Sequence, residues 1–204
     1  MTEKPNIILD LDQTLISAEP YDKYDFDKNR DRAKMFDFTN MEGYYIVFHR
    51  PHLQDFLDFV FENFNVSIWT AATKDYALYI IKNIILKDHI ERKIDWVFFS
   101  YHCGISGEME GGTKNLKTLW NVFNLKNYNT RNTIIIDDYE EVYETQKHNC
   151  VFAKPFKFIE KDSYQDDFLK RLMPLLEDMK KKIEDDKDLP AKSVNKGIKK
   201  LKMK

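Results

Sequence analysis

The 204-residue sequence predicts an α/β fold of three layers, with helices packed about a central parallel sheet. Three observations carry this. Short apolar runs at residues 6–12, 66–70, 95–100 and 133–138 read as buried strands. The stretches between them carry apolar residues at helical spacing. Strand and helix alternate, which builds βαβ units and the parallel sheet they require.

Residues 6–12, NIILDLD, form an apolar run that ends in acids, so the strand presents chemistry at its carboxyl end. Residues 17–41 are polar and aromatic, with Pro20 and many charges, and read as an excursion from the core with its own hairpin. Tyr21, Tyr24, Phe26, Phe36 and Phe38 within it suit either a docking groove or a small separate core. Gly43 introduces a strand at residues 44–48, YYIVF. Pro51 then opens a helix, since proline favours a first turn. Leu53, Phe56, Leu57, Val60, Phe61 and Phe64 share one face of it and read as core.

After the strand at 66–70, residues 74–86 are helical, with Tyr76, Ala77, Ile80, Ile81 and Ile84 turned inward. Gly104, Gly107, Gly111 and Gly112 predict a loop after the strand at 95–100. Leu116, Leu119, Trp120 and Phe123 make a short helix face. The clearest buried strand is TIIIDD at 133–138. A short helix at 140–145, a strand at 150–153 and an amphipathic helix at 168–183 follow, with Pro174 expected to kink or restart the last. The expected organisation is one folded body over residues 1–183 and a flexible Lys-rich tail over 184–204.

Composition narrows the class. A 43% hydrophobic content supports a folded core, while a mean hydropathy of -0.58 argues for solubility. No run approaches the ~20 apolar residues of a membrane helix, and the polar start does not read as a signal peptide. Cys103 and Cys150 lack metal-ligand spacing and read as buried reduced thiols, which places the chain in a reducing compartment, nuclear or cytoplasmic. The five histidines form no ligand pattern. Lys196, Lys199, Lys200, Lys202 and Lys204 close the chain without an acid among them, which suits a solvated end or a nucleic-acid contact.

Two strands end in paired acids, Asp10 with Asp12 and Asp137 with Asp138. Ligands of doubly wound sheets bind outside the carboxyl ends of the strands, so parallel central strands bring all four carboxylates to one edge. Two like charges about 4 Å apart repel by roughly 4 kcal/mol at an effective dielectric of about 20. A divalent cation removes that repulsion, and an all-oxygen set from Asp10, Asp12, Asp137 and Asp138 suits Mg²⁺.

The run Asp10-Leu11-Asp12-Gln13-Thr14-Leu15 resembles the DxDx[TV] signature of the haloacid dehalogenase (HAD) superfamily of phosphotransferases. Thr70 in IWTAA, Lys114 in TKNL and Asp137-Asp138 after three isoleucines follow in the order that superfamily shows. His49-Arg50-Pro51-His52, and Thr70-Ala71-Ala72 followed by Tyr76-Ala77, are similar to the RNA polymerase II C-terminal-domain phosphatases. The likeness spans residues 6–179 and implies a HAD-type Rossmannoid sheet with a small insertion after the first strand and no large cap. It also implies roles: Asp10 as nucleophile, Asp12 as general acid and base, Thr70 and Lys114 as phosphate contacts, and the acids as holders of Mg²⁺. Lys117, one turn on, is the rival to Lys114, and Arg50 reads as a structural partner or a phosphate contact.

The sequence also departs from the smaller polymerase-tail phosphatases. The stretch FFSYHC carries no arginine before Cys103, and Asp137-Asp138 and Gln13 are closer to the larger type. No BRCT-like domain is expected after the body. The implied activity is a Mg²⁺-dependent serine/threonine phosphatase with a phosphorylated protein or peptide as partner and no membrane. A HAD-fold binding module and a phosphatase of nucleic-acid ends are the alternatives.

Overall fold

The structure is a computed structural model and describes residues 4–184, 194–196, 198 and 199. Its strands are β1 (Asn6–Leu9), β2 (Ile16–Pro20), β3 (Phe38–Met41), β4 (Tyr45–His49), β5 (Asn65–Trp69), β6 (Ile94–Phe98), β7 (Thr133–Asp137) and β8 (Cys150–Phe152). Five of them form a parallel sheet in the order β6-β5-β1-β7-β8, and β2-β4-β3 form a small antiparallel sheet. The helices are α1 (Phe26–Ala33), α2 (Leu53–Asn63), α3 (Lys74–Ile80), α4 (Ser100–Glu110), α5 (Lys117–Asn121), α6 (Glu140–Thr145) and α7 (Phe168–Glu184).

Alternation along the central strands assigns each residue a layer. Ile7, Leu9, Ile134 and Ile136 pack with Leu53, Phe56, Leu57 and Val60 of α2 and with Leu169, Leu172 and Leu176 of α7. Ile8 and Ile135 face the other way, onto Trp69, Phe98, Leu116, Leu119 and Val142. Apolar residues on both faces explain why β1 and β7 read as unbroken hydrophobic runs. From β1 the chain winds out through β5 to β6 on one side, and later through β7 to β8 on the other. The crevice between β1 and β7 is therefore where the winding reverses, at the carboxyl ends of the strands.

Residues 17–41 hold more than a hairpin. They supply α1 and two strands of the small sheet, with β4 between β2 and β3. Of its aromatic residues, Tyr24 and Phe36 join Ile46, Phe48, Phe156 and Phe158 in a separate small core. Phe48 and Phe158 stack with centroids 3.5 Å apart, fastening the insertion to the later chain. Of the two readings of this aromatic set, the small separate core is the one found at Tyr24 and Phe36.

The loop expected at the glycines after β6 is corrected to a helix. Gly104 and Gly107 lie inside α4, and only Gly111, at φ +71°, ends it in the left-handed region. Buried Cys103 and Ser106, one turn apart, hold this helix despite the roughly 0.5–1 kcal/mol each internal glycine costs relative to alanine. Helix α7 runs unbroken through Pro174, because Leu169, Leu172, Leu176 and Met179 bury one continuous stripe. Of the tail, Val194 is fully buried in the main core and Asn195 bonds Phe152 N and Cys150 O, so this part docks on β8. Lys200, Lys202 and Lys204 lie outside the described residues.

Both cysteines are free and buried. Among the described residues, no helix is long and apolar enough to cross a membrane.

Candidate active site

The first acidic pair stands where β1 runs out. Asp10 N donates to Ile136 O at 3.1 Å, so Asp10 is still tied to β7 as the chain leaves the sheet. A tight turn follows. Leu15 N and Ile16 N both donate to Leu11 O, and Gln13 adopts φ +58°. This turn carries Asp12 away from the axis of β1. Arg50, 1% exposed, braces it from behind: Nη1 donates to Thr14 O at 2.9 Å and Nη2 to Lys154 O at 3.0 Å. Asp166 takes two further bonds from the same guanidinium, which lies 4.5 Å from the centroid of Phe168. Arg50 is therefore a structural clamp, with its donors spent inside the protein.

Lys114 is the hub of the site. It is 4% exposed, and its Nζ donates to Asp10 Oδ1 at 2.6 Å and to Asp137 Oδ2 at 2.7 Å. Its loop is latched to α6: Gln146 Nε2 donates to Lys114 O at 2.8 Å, and Thr113 N and Oγ1 both donate to Glu141 Oε1. Burial alone would lower the lysine's pKa, but the charges of Asp10 and Asp137 outweigh it and raise it, so the cation is fixed. Lys117 is exposed on α5 and plays no part in this contact.

Asp137 is fully buried and accepts from Tyr139 N at 2.9 Å. Burial and the charge of Asp10 push its carboxyl up, against the opposing pull of Lys114. Asp138 moves the same way for the same reasons, and its Oδ1 lies 3.4 Å from Thr14 Oγ1. Carboxylate oxygens of Asp10, Asp137 and Asp138 lie within 4.8 Å of one another. Three carboxylates against one ammonium leave an excess of negative charge in a set of hard oxygen donors, which fits Mg²⁺.

The Asp12 side chain, expected with that group, stands apart from it. Its Oδ1 accepts a hydrogen bond from the Tyr76 hydroxyl at 2.6 Å. Burial, with a contribution from Asp10, raises its pKa to about 6, and the Tyr76 bond only partly offsets this. Tyr76 itself was expected inward with Ala77 and Ile80; it lies half-buried at the site instead. The signal that could have found it is the Tyr76-Ala77 pair after Thr70 within the family likeness.

Thr70 closes β5, where Leu9 pairs with Ile68, so it reaches the same sheet edge. It is 1% exposed, and its Oγ1 accepts from Ala72 N at 3.1 Å, leaving its own O–H as a donor. A second trio, Asp58, His89 and Glu91, gathers on the surface, where Arg92 already pairs with Asp58 at 2.6 Å.

The sequence profile described as NLI interacting factor-like phosphatase matches residues 5–187. The CTD phosphatase-like protein 355R of Invertebrate iridescent virus 6 is 50% identical over 175 residues, 84% of this chain and 96% of that protein. Its namesake in Invertebrate iridescent virus 3 is 39% identical, across 87% and 98%. Among solved structures, Fcp1, titled an essential RNA polymerase II CTD phosphatase, aligns with a TM-score of 0.59 at 20% identity. That alignment covers 89% of this chain and 64% of Fcp1, and it supports the HAD-type Rossmannoid fold. A profile matched along nearly the whole body and a viral relative identical at half of 175 aligned residues lead to one statement: this chain belongs to the NLI interacting factor-like phosphatase family, hydrolases of the HAD type.

Proposed function

We propose that the chain is a Mg²⁺-dependent phosphoprotein phosphatase that cleaves phosphoserine or phosphothreonine through a phosphoaspartate on Asp10. The observation that carries this is the Lys114 bridge between Asp10 and Asp137, with Asp12 held separately two residues on. A carboxylate so fixed at the sheet edge is aimed to attack phosphorus. Lys114 holds its orientation and offsets charge as the Asp10–phosphorus bond forms. Asp12, protonated up to about pH 6, gives its proton to the leaving oxygen. The same carboxylate then takes a proton from the water that cleaves the acyl phosphate. Thr70 donates its hydroxyl to a phosphoryl oxygen. Asp10, Asp137 and Asp138 would hold Mg²⁺, which when bound would supply further positive charge against the phosphate.

An open cleft of about 720 Å³ lies beside Asp12 and supports a peptide over a small metabolite. The insertion that follows β1 is a small sheet with one helix, too short to enclose a small substrate as a cap domain does. Relatives named for the RNA polymerase II CTD make phosphopeptides of that repeat the first substrates to try. Two reduced, buried thiols agree with a nuclear or cytoplasmic setting.

The test is phosphate release from p-nitrophenyl phosphate and from such peptides, with and without EDTA. Activity that needs Mg²⁺, falls to background in Asp10→Asn and is blocked by beryllofluoride is expected. Turnover retained by Asp10→Asn would overturn the nucleophile. Sugar phosphates cleaved far faster than phosphopeptides would overturn the substrate class.

A further inference from the structure

The cleft beside Asp12 has a wall that touches Asp12 itself. Met41, Tyr44, Tyr45 and Tyr76 line it together with Asp12. The rings of Tyr45 and Tyr76 meet edge to face, with centroids 5.5 Å apart and planes at 81°. Tyr76 stands in the first turn of α3, whose Ala77 and Ile80 are fully buried in the main core. Ring packing on one side and a core-anchored helix on the other leave the tyrosine hydroxyl a fixed point. Asp12 sits in the turn between β1 and β2, whose backbone Arg50 braces, while its side chain is held by the Tyr76 hydroxyl. The contact between them is short, 2.6 Å, and directional, with the hydroxyl donating to Oδ1.

We infer that Tyr76 is a positioning residue for the acid step: by holding Oδ1 of Asp12 it leaves Oδ2 as the oxygen that serves the leaving group. The inference rests on the reading of Asp12 as general acid. As the Asp10–phosphorus bond forms and the phosphorus–oxygen bond breaks, the proton on Asp12 passes to the departing oxygen. Tyr76 keeps its own proton and stays the donor to Asp12 throughout. A group that positions the acid matters in proportion to how much the leaving oxygen needs a proton. A serine alkoxide needs it most, phenolate less, and p-nitrophenolate least.

The experiment is Tyr76→Phe in the full chain, which keeps the ring and deletes only the hydroxyl. The reading is kcat/KM, which extends only through the first irreversible cleavage, on a phosphoserine peptide, phenyl phosphate and p-nitrophenyl phosphate with Mg²⁺. The expected losses are graded: at least ~10-fold on the peptide, smaller on phenyl phosphate and under about 2-fold on p-nitrophenyl phosphate, the peptide loss staying below the ~10²–10⁴-fold that a whole acid–base step contributes. Equal losses on all three would overturn the proposal in favour of a general packing role. A loss on the peptide with phenyl and p-nitrophenyl phosphate equally unchanged would overturn it in favour of a peptide contact.

Asp12→Asn run beside it separates the two levels. If that variant shows no leaving-group dependence, the acid assignment itself fails. If it does while Tyr76→Phe does not, only the positioning role fails. In the double variant, Tyr76→Phe added to Asp12→Asn is expected to change peptide kcat/KM by less than about 2-fold, since a residue acting through Asp12 has nothing left to act on. An additive double variant would overturn the proposal even where Tyr76→Phe lowers overall stability.

Discussion

The Arg50 guanidinium grips both oxygens of Asp166, Nε to Oδ1 at 2.8 Å and Nη2 to Oδ2 at 2.9 Å. The Arg50 side chain is fully buried and that of Asp166 is 16% exposed. Removing the acid strands a buried cation, a loss that typically costs about 3–5 kcal/mol. Asp166→Ala is therefore expected to lower the unfolding free energy by that amount, read from the fall in the urea midpoint multiplied by the m-value. Because Arg50 also holds Thr14 O, behind the turn that aims Asp12, turnover should fall in the variant even where it remains folded. Unchanged stability would show that the clamp carries no net weight.

Lys114 is the only cation bonded to Asp10 and Asp137 among the described residues. In Lys114→Met the two carboxylates face each other unscreened. Phosphatase activity should drop by at least ~100-fold, the scale of losing one preorganised electrostatic partner. The stability lost should be larger at pH 8 than at pH 5, since protonation relieves the repulsion. A variant equally destabilised at both pH values would argue against charge as the cause.

Proton linkage gives the metal-free protein an unusual slope. Asp12 is raised from its ordinary 3.8 to about 6, and Asp137 and Asp138 move the same way. Folding therefore binds protons across this window. The stability contributed is fully present below the unfolded value and is lost as pH rises through the folded one. For Asp12 alone the change is on the order of 3 kcal/mol. Thermal melts in EDTA are expected to show this site favouring pH 5 over pH 7.5, with added Mg²⁺ raising Tm more at pH 7.5. Mg²⁺ without effect at either pH would sink the metal assignment.

Phe158 joins the insertion to the body through its stack on Phe48 and its contact with Phe36. Phe158→Ala empties a fully buried position and should cost about 3–5 kcal/mol in equilibrium unfolding. Asp10 and Lys114 sit on the parallel sheet edge and its α6 latch, not on this small core, so p-nitrophenyl phosphate turnover per folded molecule should change little. A loss of turnover as large as that of Asp10→Asn would contradict this separation.

What the sequence made legible follows from burial. Residues 133–138 could be read because both faces of β7 are apolar, and the acid pair after them marks a sheet edge. Asp10, Asp137 and Asp138 were brought together by parallel register alone. Asp12 was placed with them because spacing carries no rotamer, and the tyrosine that draws its side chain aside comes from another helix. Gly104 and Gly107 misled because glycine is a strong local punctuator, whereas burial of Cys103 and Ser106 settled the helix. The second sheet was hidden because β2 pairs with β4 across the whole excursion, Ile16 opposite His49, a partnership no short window contains.

β1 has as its neighbours β5 and β7, whose first residues lie 59 and 127 positions further along the chain. A ribosome that has made Asp10 reaches β5 first and must continue well past it before β7, the strand on the other side of β1, exists. Until then NIIL can pair only with β5, and the backbone edge that β7 will cover stays open. Closing contacts this distant is slow, because chain entropy must be overcome before pairing rewards it. Asp10 is thus made well before Asp137 and Asp138, and the acidic site stays unassembled, its strand open to misassociation, until β7 has docked.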